Sequence, residues 1–289
     1  MDDAIADWVS GLKADWEQQN ESGASPAEIP VYFVSAQGGG IRSAYWTALV
    51  LDRLAGLDPA FERRTFSISG VSGGSVGAAV WSVCEPGSRG GARDRNDCIE
   101  GLGQANLLTP LRSAWLFEDV LARFIPSSWC RLPGCGIMSR GSWFERSLEQ
   151  DVNGLAAPMT GPVTPGAHGP YLFLNSTWVE NGERAIASRL RIEPASFPAA
   201  GDQLARIGRD LLLSTAAHNS ARFTYINAIG NADGKGHLAD GGYFDNSGGH
   251  TTDDILRAFR RCLFNADDPC KLNDRRADLQ TWAQEHLVP

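Results

Sequence analysis

The chain has 289 residues, 43% of them hydrophobic, which is enough to bury one large core or two smaller ones. Its formal charge is −8, from 26 basic and 34 acidic residues, and it has no long basic run. This balance argues against nucleic acid as a partner and against tight electrostatic binding to anionic lipid. The sequence shows no apolar run long enough to span a bilayer and no signal-peptide pattern at its start, so it predicts a soluble chain.

The first predicted element is an amphipathic helix over Asp2–Gln19. Its apolar residues recur at helical spacing and are Ile5, Trp8, Val9, Leu12 and Trp16. The favoured interpretation is that this face packs on the rest of the protein. The alternative is that the two tryptophans rest at a membrane interface, which the acidic opposite face disfavours. We therefore expect a helix and connector over residues 1–30, followed by one larger domain over residues 31–289.

Two short apolar runs are each followed by glycines and then by a helical pattern. The first run is the predicted buried strand Val31–Val34, which leads into Gly38-Gly39-Gly40. The helix predicted next spans Ala44–Leu54, with an inner face formed by Trp46, Leu49, Val50 and Leu54. Three glycines between a strand and a helix leave backbone N–H groups unscreened, which is typical of an anion-binding site. A nucleotide loop is excluded because the P-loop lysine is absent and the dinucleotide-binding spacing does not match.

The second unit, Thr65–Val80, contains a serine between glycines. A predicted strand leads into Gly70-Val71-Ser72-Gly73-Gly74, and a helical pattern follows. This arrangement is typical of a nucleophile elbow, a turn so tight that the flanking positions tolerate almost no side chain. Considered alone, the motif fits an ordinary Gly/Ser turn equally well. Together the two units are expected to bring an anion-binding loop and a nucleophile to the same edge of one sheet.

The remaining elements are mostly helical. Helices are predicted at Leu111–Ile125, Arg140–Val152, Asp202–His218, Thr251–Leu263 and Leu279–Leu287. The two strands Tyr171–Val179 and Arg184–Ile192 flank Asn181-Gly182, which predicts a β-hairpin with a type I′ turn. Near the end, Asp240-Gly241-Gly242 places an acid on an open loop at a strand end. Alone, that Asp-Gly dipeptide favours a surface turn.

Six cysteines form an even set in which each consecutive pair brackets a loop. We expect disulfides between Cys84 and Cys98, Cys130 and Cys135, and Cys262 and Cys270, although other pairings and reduced, buried thiols stay open. The chain has no C-x-x-C pair and no Cys/His cluster at zinc spacing, so we expect no metal site. Disulfides would indicate an oxidising, extracytoplasmic or membrane-associated location, reached through an upstream segment that this sequence lacks.

Three motifs, taken together, carry a family resemblance. Gly38-Gly39-Gly40-Ile41-Arg42, Gly70-Val71-Ser72-Gly73-Gly74 and Asp240-Gly241-Gly242 resemble the motifs of patatin-like phospholipases in order and spacing. Ser214–Phe223 is similar to the Ala/Ser-rich helix that precedes the aspartate strand in that family. The resemblance extends from about Val31 to about Asn246. Ser43 replaces the glycine that many members have after the basic residue, and the Gly38–Ala44 run is more similar to the cytosolic phospholipase branch.

The resemblance implies a three-layer α/β/α fold with a central, mostly parallel sheet, and a lipid acyl hydrolase that needs no cofactor. It implies a dyad in which Ser72 attacks an ester carbonyl and Asp240 acts as the base. The N–H groups of the segment Gly38, Gly39 and Gly40 and of Gly73 are expected to form the oxyanion hole. Arg42 is expected either to bind a substrate phosphate or to pair with a carboxylate. The implied substrate is a phospholipid or a related acyl ester, and the resemblance is compatible with peripheral contact between the protein and a membrane.

Two alternatives stay open. A conventional α/β-hydrolase shares the elbow but needs a histidine after the acid, and only His250 and His286 follow Asp240, while His218 and His237 precede it. A non-catalytic lipid- or partner-binding module could keep the scaffold, but the intact Ser72, Asp240 and glycine motifs argue against it. The sequence indicates no oligomeric state. On the favoured interpretation, Ser72 and Asp240 lie side by side at the carboxyl edge of the sheet.

Overall fold

The computed structural model describes residues 1–21, 28–84, 95–104, 108–113, 116, 140–152, 154–161, 169–224, 226–265 and 277–289. The helices of two turns or more, and the shorter ones between them, are α1 (Asp2–Glu21), α2 (Gly40–Leu57), α3 (Phe61–Arg64), α4 (Gly73–Val83), α5 (Arg95–Gln104), α6 (Leu108–Ser113), α7 (Arg140–Asp151), α8 (Gln203–Ile207), α9 (Leu213–Ser220), α10 (Gly249–Phe264) and α11 (Ala277–His286). The strands are β1 (Ile29–Pro30), β2 (Tyr32–Ala36), β3 (Thr65–Val71), β4 (Tyr171–Trp178), β5 (Arg184–Ala187), β6 (Ala200–Asp202), β7 (Gly230–Asn231), β8 (His237–Asp240) and β9 (Leu287–Val288).

The central sheet has the order β2-β3-β4-β5-β6, with β8 and β7 added beside β4. Strands β2, β3 and β4 are mutually parallel, and β5 and β6 are parallel to each other. Strand β4 pairs antiparallel with both β5 and β8. The chain is therefore a mixed α/β protein built around a largely parallel sheet.

Alternating side chains of the central strands supply two separate cores. On β4, Leu174 belongs to the core that includes α2 and α4, whereas its neighbour Phe173 belongs to the core that includes α1, α10 and α11. On β3, Ile68 and Phe66 also belong to different cores although they are two residues apart, and Phe66 lies where the pairing register of β2 and β3 shifts. Because neighbouring residues of a strand face opposite sides, this alternation shows that helices cover both faces of the sheet. The expected three-layer α/β/α arrangement is confirmed.

Helix α1 extends to Glu21, two residues beyond its predicted end, and its apolar face is buried. The Trp8 ring packs edge-on against Phe66 at 5.3 Å and against Phe259 at 6.1 Å. Trp16 contacts the rings of Trp282 and His286. These contacts place both tryptophans against the sheet and the C-terminal helices, as the packing interpretation predicted.

The inner face predicted for α2 is wrong at Trp46 and Leu54, whereas Leu49 packs against the core as predicted. Its buried residues are Ala44, Thr47, Ala48 and Leu51, whereas Trp46 is 69% exposed and Leu54 is also exposed. The reason is the close approach of α2 to α4, where a Cβ on Gly77 would overlap the carbonyl oxygen of Ala44. Only small residues fit at such a contact. Trp46 and Leu54 therefore lie on the exposed side of α2, whereas Leu51 is buried, and the helix begins at Gly40 rather than at Ala44.

Two other predicted elements differ in detail. The single helix predicted over Asp202–His218 is two helices, because Gly208 adopts a left-handed conformation (φ 82°) that ends α8 before α9 begins. The β4–β5 hairpin is confirmed. Its turn is not type I′, since that turn needs positive φ at both central residues and only Gly182 of the Asn181-Gly182 pair has it.

The predicted disulfides are confirmed where the structure describes both partners. Cys84 and Cys98 are bonded to each other, and Cys262 is disulfide-bonded as well. Cys130, Cys135 and Cys270 lie outside the described residues, as does most of the helix predicted over Leu111–Ile125. Within the described ranges, we find no helix whose length and apolar character would let it cross a bilayer.

Candidate active site

The strand register brings Ser72 and Asp240 together. Strand β3 pairs with β4 up to Val71, which lies opposite Asn175, and β8 pairs with the next residues of β4, so that Asp240 lies opposite Ser176. Because β5 occupies the other edge of β4, β3 and β8 meet end to end along one edge. Strand β3 therefore ends immediately before Ser72, at the point where β8 ends with Asp240. There Ser72 Oγ donates a hydrogen bond of 2.7 Å to Asp240 Oδ2.

Ser72 is held in a conformation that L-residues rarely adopt, with φ 52° and ψ −123°. Such a residue stores about 1–3 kcal/mol of backbone strain and persists only where its surroundings fix it. The surrounding glycines are required by close packing. A Cβ would overlap the main chain of Ser75 at Gly70, the carbonyl oxygen of Gly40 at Gly73, and that of Ala36 at Gly74. The predicted elbow pattern thus corresponds to a strained serine between a strand and a helix.

Asp240 is only 3% exposed and is fixed from several directions. Its Oδ1 accepts the Gly242 N–H at 2.8 Å, while its main-chain oxygen accepts from Thr177 Oγ1 at 3.0 Å and its N–H donates to the Arg222 carbonyl at 3.0 Å. Burial raises the pKa of Asp240 above its ordinary value, and the hydrogen bonds from Ser72 and Gly242 offset part of that rise. A carboxylate with a raised pKa is a stronger base than an exposed aspartate.

The glycine-rich loop lies against the elbow. The Gly40 carbonyl contacts Gly73, so α2 and α4 begin beside each other and next to Ser72. Among the described residues, no hydrogen-bond acceptor is found for the N–H groups of Gly39, Gly40 and Gly73. Gly38 differs, because its N–H donates to the Asn246 carbonyl at 2.9 Å. Two helices therefore begin beside Ser72, and the N-terminus of a helix favours negative charge.

Arg42 lies in the first turn of α2 with its side chain exposed, and no residue in the described ranges forms an ion pair with it. A cation at the N-terminal end of a helix is unfavourable to the helix dipole. Next to it, Ser43 Oγ donates to the Gln37 carbonyl and so ties the start of α2 to the end of the preceding loop. Ser43 therefore has a local structural role.

The histidines within the described part of the chain are occupied elsewhere. His218 is fully buried, with Nδ1 2.7 Å from Glu145 Oε1, and His237 pairs with Glu180. The rings of His250 and His286 pack on Phe244 and Trp282, respectively. None of these four histidines forms a hydrogen bond to Ser72 or Asp240. Among the described residues, no histidine is therefore placed to complete a Ser-Asp-His triad with Ser72 and Asp240.

His218 should make the protein sensitive to acid. Burial lowers its pKa to about 4, against about 6.5 in an unfolded chain, with the Arg222 charge adding to the effect and Glu145 opposing it. Between these pH values the unfolded state takes up a proton that the folded state does not, so stability is complete above pH 6.5 and is lost as the pH falls toward 4. The loss is roughly 3 kcal/mol.

Urea denaturation at pH 7, 5.5 and 4 measures this loss. The matched variant is His218→Gln, which keeps a donor for Glu145 but cannot be protonated. Its free energy of unfolding should change less over this range than that of the natural protein. An equally steep decline in both proteins would contradict the assignment to His218.

Several apolar side chains in the segments that carry the glycine loop and Asp240, or that precede Asp240 in the chain, are exposed, and we call them the apolar rim: Ile41, Phe223, Ile226, Tyr243 and Phe244. Ile41 follows Gly40, Phe223 follows the residue that binds the Asp240 N–H, and Tyr243 follows Gly242. The rings of Phe223 and Tyr243 are stacked, with centroids 6.1 Å apart and planes 6° from parallel. Tyr243 is further fixed by a hydrogen bond to Thr224. The stacked pair therefore forms a fixed, exposed apolar surface next in sequence to two residues that hold Asp240.

No model of a known protein family matches the chain, and no curated protein sequence is similar to it. Among solved structures, VipD from Legionella pneumophila is similar at a TM-score of 0.32 and 13% identity, over 77% of this chain and 47% of that chain. Human GIVD cytosolic phospholipase A2, in complex with methyl gamma-linolenyl fluorophosphonate, is similar at a TM-score of 0.37 and 20% identity, over 65% of this chain and 27% of that chain. This chain thus spans less than half the length of either protein.

Proposed function

We propose that this protein is a serine hydrolase that cleaves the carboxylic ester bonds of lipids, including phospholipids, through a Ser72–Asp240 dyad. The observation that carries the proposal is the 2.7 Å hydrogen bond from the strained Ser72 to the buried Asp240. The order and spacing of the three sequence motifs support the same assignment. On this proposal residues 31–289 form the hydrolase domain, and residues 1–30 support it by packing.

The proposed reaction has two steps that both use Asp240 as the proton carrier. In the first, Ser72 Oγ attacks the ester carbonyl carbon while its proton passes to Asp240 Oδ2. The tetrahedral intermediate then collapses, the ester C–O bond breaks, and the leaving alcohol takes the proton from Asp240. In the second, Asp240 takes a proton from water, the resulting hydroxide attacks the acyl-serine, and the proton returns to Ser72 as the carboxylic acid leaves.

The oxyanion formed in each step is assigned to the N–H groups of Gly39, Gly40 and Gly73, which have no acceptor among the described residues. The sequence-based expectation also included Gly38. Its N–H already donates to Asn246, so we assign Gly38 to anchoring the loop rather than to binding the oxyanion. Removing one oxyanion-hole donor typically lowers kcat by about 10²–10³-fold.

The surroundings of the dyad favour an amphipathic ester as the substrate. The apolar rim offers a surface for an acyl chain, and stacked aromatic rings bury a large apolar area when covered. Arg42 is an exposed cation, without an ion-pair partner among the described residues, at a helix start where an anion is favoured. We therefore assign it to the phosphate of a phospholipid substrate. The exposure of the rim also suits contact with a lipid surface.

Covalent labelling combined with an ester panel tests the proposal. A fluorophosphonate should react once per chain, with Ser72 Oγ attacking phosphorus and fluoride leaving, and peptide mass mapping should locate the adduct on Ser72. Phospholipids, lysophospholipids, triglycerides and short-chain p-nitrophenyl esters are then compared as substrates. Hydrolysis in the panel that survives complete labelling of Ser72 would contradict the proposal, and so would the absence of any labelling.

Shortening the aromatic pair should weaken binding of long acyl chains selectively. Phe223→Ala and Tyr243→Ala each remove a large apolar surface, so KM for a long-chain p-nitrophenyl ester should rise by about tenfold or more, with little change for the acetate ester. The matched control is Leu57→Ala, an exposed leucine at the far end of α2, about 25 Å along the helix from Gly40. An equal effect on both ester lengths would contradict this role of the rim.

A further inference from the structure

The buried hydroxyl of Ser220, the last residue of α9, contacts the elbow directly. Ser220 Oγ accepts the Ser72 N–H at 2.9 Å and donates to the main-chain carbonyl of Asn175. Its third contact is Ser75 Oγ at 2.7 Å, and because Ser220 has one proton and has already used it, Ser75 must be the donor there. Ser220 is fully buried, so no water replaces any of these bonds. One hydroxyl uses its full hydrogen-bonding capacity on the elbow, α4 and β4.

These contacts join the two halves of the dyad. The Ser72 N–H belongs to the strained nucleophile, while Asn175 lies on β4 next to Ser176, the residue opposite Asp240. Gly241 packs against the same Asn175 carbonyl so closely that a Cβ there would overlap it. The Asn175 side chain also donates to the Gly70 carbonyl at 2.8 Å. The separation of Ser72 and Asp240 is therefore set through β4, and Ser220 connects β4 to the nucleophile.

We propose that Ser220 is a positioning residue that holds Ser72 in its reactive conformation and sets its distance from Asp240. The inference rests on the proposed hydrolase function and adds a residue that touches no reacting atom. Without the Ser220 hydroxyl, the Ser72 N–H and the Asn175 carbonyl lose buried partners. The backbone at Ser72 then relaxes toward an unstrained conformation, and Ser72 Oγ moves away from Asp240.

The test compares Ser220→Ala with Ser214→Ala. Ser214 is equally buried in the same helix, but its Oγ bonds Glu149 at 2.5 Å rather than any part of the elbow. We expect Ser220→Ala to lower kcat for a p-nitrophenyl ester, and the rate of fluorophosphonate labelling of Ser72, by about tenfold to a hundredfold. KM should stay unchanged. Ser214→Ala should keep both rates within about twofold, although both variants lose thermal stability.

Ser220→Cys provides a second variant, because a thiol is a weak donor and acceptor and should restore part of the labelling rate. It also keeps the test decisive where Ser220→Ala fails to fold. A folded Ser220→Ala that is labelled at the natural rate would overturn the positioning role while leaving the hydrolase assignment intact. So would equal losses in Ser220→Ala and Ser214→Ala. A natural protein that neither reacts with the probe nor hydrolyses esters would instead overturn the proposed function itself.

Discussion

Replacing Asp240 with asparagine should abolish ester hydrolysis and, at the same time, stabilise the protein at neutral pH. The loss of activity follows because an amide cannot accept the proton of Ser72, and Asp240 is the only base within hydrogen-bonding distance of Ser72 Oγ among the described residues. We expect kcat/KM to fall by at least about 10⁴-fold, the loss seen when the acid of a serine triad is neutralised. The hydrolysis of a p-nitrophenyl acyl ester measures this effect.

The gain in stability follows from the pKa of Asp240. Burial raises that pKa in the folded state, so the ionised carboxylate is less favourable in the fold than in the unfolded chain. Above the folded-state pKa the cost is complete, and below the ordinary aspartate value of about 4 it disappears. Asparagine avoids the charge and can still accept from Gly242 and donate to Ser72 Oγ.

Thermal unfolding at pH 7 and at pH 4 measures the gain in stability of Asp240→Asn. The variant should have the higher Tm at pH 7, and the difference should shrink at pH 4. In the natural protein, kcat/KM should fall as the pH drops through the raised pKa of Asp240, at a higher pH than an exposed aspartate would give. A fully active Asp240→Asn protein would instead contradict the role of Asp240 as the base. A lower Tm of Asp240→Asn than of the natural protein at pH 7 would contradict the prediction that the ionised Asp240 carboxylate destabilises the fold.

The sequence was sufficient to predict that Ser72 lies in a tight turn between a strand and a helix. A glycine at positions 70, 73 and 74 is a local requirement of the elbow, because each Cβ would overlap neighbouring main chain. Such a requirement is visible in the sequence as a fixed residue type around Ser72. A second local rule applies to the neighbours Phe173 and Leu174, which belong to opposite faces of β4. Local sterics and a period of two are both properties of a short stretch of chain.

The proximity of Ser72 and Asp240, by contrast, does not follow from any short stretch of the sequence. It depends on β8 running antiparallel to β4 and taking over the edge that β3 leaves after Val71. No local pattern in His237–Asp240 specifies that register, so the side-by-side arrangement could be expected only from the family resemblance. Asn246 and Ser220 were missed as site neighbours for the same reason. The only signal was the run of small residues in Ser214–Ser220, which indicates close packing without naming a partner.

The prediction of the inner face of α2 was wrong at Trp46 and Leu54 for an energetic reason. Hydrophobic periodicity assigns the largest apolar residues to the core, and for α2 that selects Trp46 and Leu54. The contact with α4 is made main chain to main chain at Gly77, which admits alanine and threonine but no larger side chain. Close packing of backbones therefore outweighs the burial of a tryptophan. A glycine in the neighbouring helix was the signal that could have corrected the prediction.

Replacing Ser72 with alanine should lower the rate of ester hydrolysis by at least about 10⁴-fold without unfolding the protein. Histidine variants should then distinguish a dyad from a triad. Ser72→Ala removes the nucleophile, and alanine at φ 52° carries the same backbone strain as serine, so Tm should change little. In a Ser-His-Asp triad, loss of the histidine is about as damaging as loss of the serine. The matched variants here are His250→Ala, at an exposed site, and His218→Gln, at a buried one.

Both histidine variants should keep most of the activity, because neither side chain bonds to Ser72 or Asp240 and Ser72 donates directly to the carboxylate. His218→Gln should show a changed Tm, since it alters the buried contact with Glu145, but its kcat should stay within about threefold of the natural value. Circular dichroism confirms that each variant is folded before its kinetics are compared. A folded histidine variant as inactive as Ser72→Ala would end the dyad assignment and make a triad hydrolase the correct one.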